Sequence, residues 1–280
     1  MDNLILNSAT KQYIEAFVHR PGHALLIEGL AGSGKRSIAE VIITALLGQN
    51  TEYLYDYPNE NNETISIDTI RDIETHLTLK VPNKQSINRV VLIENAHNMG
   101  LEAQNALLKN LEEPPDGTLI ILTATPGQSL LPTIYSRTFK ILVVTPPLVT
   151  TKTYFETKGY SSKDVDKALL TSGGLIGLMS ALLQNQDHPL VSATQVARLL
   201  LTQSTYERLY NSDGLIKDKI LLNDVLSILQ QMAHVRLASN DQNVSTWSNI
   251  LAVSYAAAEQ LQHNGQPKLI VDNLLLKLQA

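Results

Sequence analysis

The residues best placed to do chemistry lie in one run, Gly29-Leu30-Ala31-Gly32-Ser33-Gly34-Lys35-Arg36-Ser37. Glycines at these positions let backbone N–H groups wrap phosphate oxygens, a lysine reaches the terminal phosphates, and a helix opening there adds partial positive charge. The pattern is a P-loop, and ATP or ADP is the ligand class it suits. Gly29, Gly32, Ser33, Gly34, Lys35, Arg36 and Ser37 are therefore the nucleotide-site candidates. A glycine-rich turn between a strand and a helix is the plainer alternative.

The loop departs from a working one at a single position. A hydroxyl after the lysine normally holds Mg²⁺, and here that residue is Arg36. Ser37 does not replace it, because one step along a helix turns a side chain by about 100°. A second departure follows the apolar run Val90-Val91-Leu92-Ile93, which ends in Glu94-Asn95. An ATPase of this kind needs an Asp for the metal and then a Glu to polarise the attacking water. Asn95 can orient a water but cannot take its proton, so hydrolysis in this site is expected to be slow or absent. In the plain alternative, Glu94 and Asn95 merely end a strand. Thr123 ends another apolar run, where threonine is an ordinary strand former.

These groups need a scaffold, and the alternation of short β-branched runs with helical patterns up to about residue 145 predicts one: βαβ units around a parallel sheet. HALLIEG from His23, EYLYDY from Glu52, RVVLIE from Arg89, TLIILT from Thr118 and FKILVV from Phe139 are the expected five strands. Helices are expected over Arg36 to Leu47, Ile67 to Leu79 and Gly100 to Glu112. In the last, Ala103, Leu107 and Leu111, with Leu108 beside them, make one apolar face, and Pro114-Pro115 stops the helix. Thr145-Pro146-Pro147 marks a boundary. Beyond it the pattern is helical throughout: three short helices over about 150 to 185, then longer ones, with polar breaks at Asn240 to Val244 and His263 to Pro267. Trp247, Ile250, Leu251, Ala257, Ala258 and Leu261 follow helical spacing and read as packing residues.

Composition narrows the partners. With 280 residues, 44% hydrophobic and 18% charged, the chain is long enough for two or three small domains. A net charge of −5 argues against gripping nucleic acid alone over a broad surface. No cysteine is present, which excludes disulfides and thiolate zinc sites, and the seven histidines form no HxxxH-type pair, so neither zinc nor another metal site is expected. No apolar run approaches the roughly 20 residues needed to span a bilayer, and MDNLILNSAT lacks the pattern of a secretory signal. A cytoplasmic location without membrane attachment is the expectation.

The stretch Asn105-Ala106-Leu107-Leu108-Lys109-Asn110-Leu111-Glu112-Glu113-Pro114-Pro115, followed by Leu130-Leu131-Pro132-Thr133-Ile134-Tyr135-Ser136-Arg137-Thr138, resembles the clamp-loader branch of the AAA+ ATPases. The second run looks like that branch's Ser-Arg-Cys motif, with Thr138 in the cysteine's place. Within the branch, the altered phosphate and metal residues resemble the delta-prime family of bacterial DNA polymerase III clamp loaders. So do Ile67 to Ile73 and the stretches Asn264 to Leu269 and Asn273 to Leu278. Two features depart from relatives. Leu47-Gly48 runs almost directly into the second strand, where many carry a four-cysteine zinc module. Gly174-Leu175-Ile176-Gly177 is followed by Leu178, where active members carry a sensor arginine.

The resemblance implies an AAA+ α/β domain over 1–147, a small helical lid over 148–188 and a helical collar over 189–280. It implies a non-motor stator subunit that helps load a sliding clamp onto primed DNA, with other clamp-loader subunits in a ring as partners. Arg137 would then be the catalytic group, an arginine finger reaching ATP held by a neighbour, and Thr123 would stand at the sensor position of the chain's own nucleotide site. A slow motor subunit and a scaffold that only binds replication partners remain the alternatives.

Overall fold

The computed structural model describes residues 4–48, 51–59, 63–82, 86–126, 130–184, 190–239, 242–263 and 265–278. The expected lid–collar boundary at 188–189, and Asn240 and Asn264 of the expected stretches, lie outside the described residues. The chain divides into two compact units, Met1–Pro146 and Pro147–Ala280.

In the first unit five parallel strands, β1 (Ala24–Glu28), β2 (Leu54–Tyr57), β3 (Arg89–Ile93), β4 (Thr118–Ala124) and β5 (Phe139–Leu142), lie in the order β2-β3-β4-β1-β5. β1, β3 and β4 are buried along their whole length, as near-continuous apolar runs require when helices cover both faces. Side chains alternate between those faces. Leu25 and Ile27, with Val90, Leu92, Leu119 and Ile121, meet helices α1 (Ser8–His19) and α2 (Lys35–Leu47). Leu26, with Val91, Ile93, Ile120 and Leu122, meets α3 (Ile67–Thr78), α4 (Leu101–Glu112) and the one-turn α5 (Pro132–Tyr135). Ala103, Leu107 and Leu111 form the buried face of α4, and Leu108 packs partly buried beside them.

The sequence reading assigns no element to residues 8–19, which form α1. Its signals are local: Asn7 caps the helix by accepting from the Ala9 N–H at 3.0 Å, and Thr10, Ile14 and Phe17 fall on one buried face. The Thr10 hydroxyl donates to Leu142 O and accepts from the Val144 N–H, each at 3.1 Å, which fixes α1 to the end of β5.

The second unit is helical: α6 (Leu148–Thr157), α7 (Ser162–Ser172), α8 (Ile176–Gln184), α9 (Leu190–Thr202), α10 (Thr205–Tyr210), α11 (Asp213–Lys217), α12 (Lys219–Ala238), α13 (Val244–Gln262) and α14 (Pro267–Lys277). α12 is its axis, packed against α7, α9, α11 and α13. Gly173 follows α7 with φ of +61°, and a Cβ there would lie 2.3 Å from Gln231 Cβ, so α7 and α12 touch nearly backbone to backbone. Leu178, in the place of the sensor arginine, is wholly buried. In α13, Ile250, Ala257 and Leu261 are buried, while Trp247, Leu251 and Ala258 are half-buried; Trp247 lies under the Arg236 guanidinium, 5.3 Å from the ring centre.

Candidate nucleotide site

Gly29, Glu94 and Thr123 follow or end three neighbouring strands, β1, β3 and β4, at their carboxyl ends, where open α/β sheets gather ligands. The loop between β1 and α2 turns on its glycines. Gly32 and Gly34 take φ of +73° and +89°, and α2 begins at Lys35 with no side chain capping it. A Cβ on Gly29 would strike Ser33 Oγ and Val143 Cβ.

The charged residues of this loop turn inward. Lys35 is buried, and its ammonium donates to Gly29 O at 2.7 Å and Leu30 O at 2.9 Å. Burial lowers its pKa to about 8, with Glu94 opposing the shift. The Arg36 guanidinium reaches three carboxylates. Nε donates to Glu40 at 2.9 Å, Nη1 and Nη2 form a two-pronged pair with Asp56 at 3.1 and 2.5 Å, and Nη1 also meets Glu94. Burial works against its charge, but the hydrogen bonds it donates to Glu94, Glu40 and Asp56 outweigh burial and raise the pKa. A guanidinium thus lies among the acidic groups, and the residue after the lysine offers no hydroxyl. These residues do not fit a magnesium ion. Ser37, one position on, is half-buried.

Asn95 is half-buried. It sits in the left-handed region with φ of +48°, its amide donates to Asn59 O at 2.9 Å, and its backbone N–H donates to the Thr123 hydroxyl at 3.0 Å. Thr123 is buried and spends its oxygen tying the end of β4 to the residues after β3.

Arg137 follows α5. Its Nη2 pairs with the Glu112 carboxylate at 2.5 Å, and its Nη1 donates to Thr133 O at 3.1 Å and Ser136 Oγ at 3.2 Å. The segment carrying it is anchored twice more. Gln104, buried in α4, accepts from the Leu131 N–H at 2.8 Å, and the Tyr135 hydroxyl donates to buried Glu28 at 2.8 Å while Lys140 pairs with the same carboxylate.

The sequence reading did not single out His97, Glu28, Tyr135, Asp56 or Glu40. His97 accepts from the Thr125 N–H at 3.3 Å through Nδ1. Burial first, then the nearby Lys35 charge, lowers its pKa to about 4. Its signal was position, three residues after the Glu that ends an apolar strand. Glu28 had a comparable one, a lone carboxylate closing such a strand.

A family model described as "DNA polymerase III, delta subunit" matches residues 54–146. DNA polymerase III subunit delta' of Pseudomonas aeruginosa is 36% identical over 137 residues, which is 41% of this chain and 41% of the relative. The subunit of the same name from Haemophilus influenzae is 42% identical over 77 residues, 28% of this chain and 23% of the relative. The one from Escherichia coli is 27% identical over 190 residues, 60% and 56%. The matched part of the chain thus resembles DNA polymerase III delta-prime subunits. The matches span 41%, 23% and 56% of those three delta-prime relatives' own length. The crystal structure of a DNA polymerase III gamma subunit-related protein from Thermotoga maritima overlaps 96% of this chain and 98% of that one, with a TM-score of 0.51 and 21% identity, which bears on fold alone. Among the described residues no helix is long and apolar enough to cross a membrane.

Proposed function

We propose that this chain belongs to the delta-prime clamp-loader family and is a non-motor subunit of a replicative clamp loader. It works in a ring with other clamp-loader subunits, helps place a sliding clamp on primed DNA, and supplies Arg137 to ATP bound by a neighbour. Residues 1–147 are its AAA+ domain, 148–188 its lid and 189–280 its collar.

One observation carries the reading: the Arg36 guanidinium sits between Asp56 and Glu94, and Glu94 stands at the strand end from which a hydrolytic site would hold its divalent ion. A site whose carboxylates are already neutralised, and whose lysine is held by its own loop carbonyls, has little left to bind or activate Mg·ATP. The same pairing weighs against the motor alternative, which relied on Glu94 as the metal ligand. Any nucleotide in this loop would be held without a divalent ion. Arg137, in contrast, lies on an anchored segment, as a group does when it must stabilise charge on a transferring phosphoryl.

The test is a clamp-loader assembly reconstituted with Arg137→Ala. DNA-stimulated ATPase is expected to fall by about 10³-fold at the site the finger completes. An unchanged rate overturns the proposal. The isolated wild-type chain should show no magnesium-dependent turnover.

A further inference from the structure

Arg137 is engaged within its own subunit, and the group that engages it stands in an unfavourable place. Glu112 is the last residue of α4, where the helix presents unsatisfied carbonyls and partial negative charge. A carboxylate there is destabilised unless a cation joins it, and Arg137 is the cation that does, at 2.5 Å. Both terminal nitrogens of the guanidinium thereby point at acceptors of this chain, Glu112 on one side and Thr133 O with Ser136 Oγ on the other. Those are the nitrogens a phosphate takes in a two-pronged contact.

The backbone around Arg137 does not depend on Glu112. Gln104 holds Leu131 and Glu28 holds Tyr135, so the α5 segment is positioned from the α4 N-terminal half and from the sheet. What Glu112 adds is a hold on the guanidinium alone. Both side chains are partly open to water, 33% for Arg137 and 49% for Glu112, so the pair is weak and exchangeable.

We propose that Glu112 parks Arg137 in the free subunit, and that a neighbouring triphosphate must displace this carboxylate to recruit the finger. Glu112 is then a positioning residue that sets how readily the finger is delivered, acting only through Arg137. The proposal rests on the trans-acting role of Arg137.

The experiment compares whole reconstituted assemblies carrying wild-type protein, Glu112→Gln, Glu112→Ala, Glu112→Asp and Arg137→Ala, with kcat and KM for ATP measured across a salt series. At low ionic strength, removing the charge in Glu112→Gln or Glu112→Ala should raise kcat/KM about two- to five-fold, the size of an exposed ion pair. Glu112→Asp, which keeps the charge, should stay within about twofold of wild type. The ratio of Glu112→Gln to wild type should shrink toward one near molar salt, where screening is nearly complete at about 3 Å. A purely structural role would not track salt in this way. A kcat/KM that is unchanged or lower in both charge-removing variants, alongside a large loss in Arg137→Ala, overturns the parking role and leaves the arginine finger standing. Full activity in Arg137→Ala overturns both.

Discussion

Replacing Arg36 with threonine removes one guanidinium and leaves Glu40, Asp56 and Glu94 facing a common space. The three contacts differ in value because they differ in exposure. The pair with Glu40 is an exposed i,i+4 contact worth about 0.3–0.5 kcal/mol. The two-pronged pair with Asp56, whose side chain is 30% exposed, is worth about 1 kcal/mol. Glu94 is only 11% exposed, and stripping a buried carboxylate of its partner costs several kcal/mol in full. The Lys35 charge remains near Glu94, and Arg36 itself is 40% exposed, so about 1–2 kcal/mol is the reasonable share. The sum, roughly 2.3–3.5 kcal/mol, lowers Tm by about 5–14 °C for a unit of this size. The variant should also gain stabilisation by a divalent ion, which the wild type is expected not to show. At ten times its Kd, Mg²⁺ or Mn²⁺ restores about 1.4 kcal/mol. Thermal melting followed by circular dichroism, with and without the ion, measures both effects. If the variant melts within a degree of wild type, or the ion stabilises both proteins equally, the guanidinium is not neutralising this cluster and the reasoning fails.

His97 should set part of the acid limit of stability. Its pKa is about 4 folded against an ordinary 6.5, so the unfolded chain takes up the proton first, and stability present above pH 6.5 is lost as pH falls toward 4. Between pH 7.5 and 4.5 wild type should lose about 2 kcal/mol more than His97→Gln in urea unfolding, and parallel losses would contradict this. Tyr135→Phe removes the neutral donor to buried Glu28 and should cost about 1–2 kcal/mol by denaturant titration, with no change in secondary structure.

The sheet and most of the helices of the first unit were legible because their signals are periodic. Apolar runs of four to seven residues separated by helical patterns leave few alternatives to a parallel α/β layer. The failures were of another kind. α1 is amphipathic over a short span and depends on Thr10 reaching the backbone of β5, a contact no local pattern announces. At the site, sequence identified the loop, the misplaced arginine and the strand-end Glu and Asn, because those are fixed by spacing. It could not show where Arg36 goes. The partner Asp56 lies 20 residues away on β2, and Glu94 58 residues away beyond β3. Nor could it show that the Asn95 amide turns to Asn59, which requires the left-handed backbone at that residue.

The near-contact of Gly173 with Gln231 has a mechanical consequence. At that one point the end of α7 and the backbone of α12 meet with no room for a methyl group, so the two cannot be pressed closer there. The end of α7 is pinned against the helix that also packs on α9, α11 and α13. A larger residue in place of Gly173 would have to move α12, and its cost would spread to the helices that α12 carries.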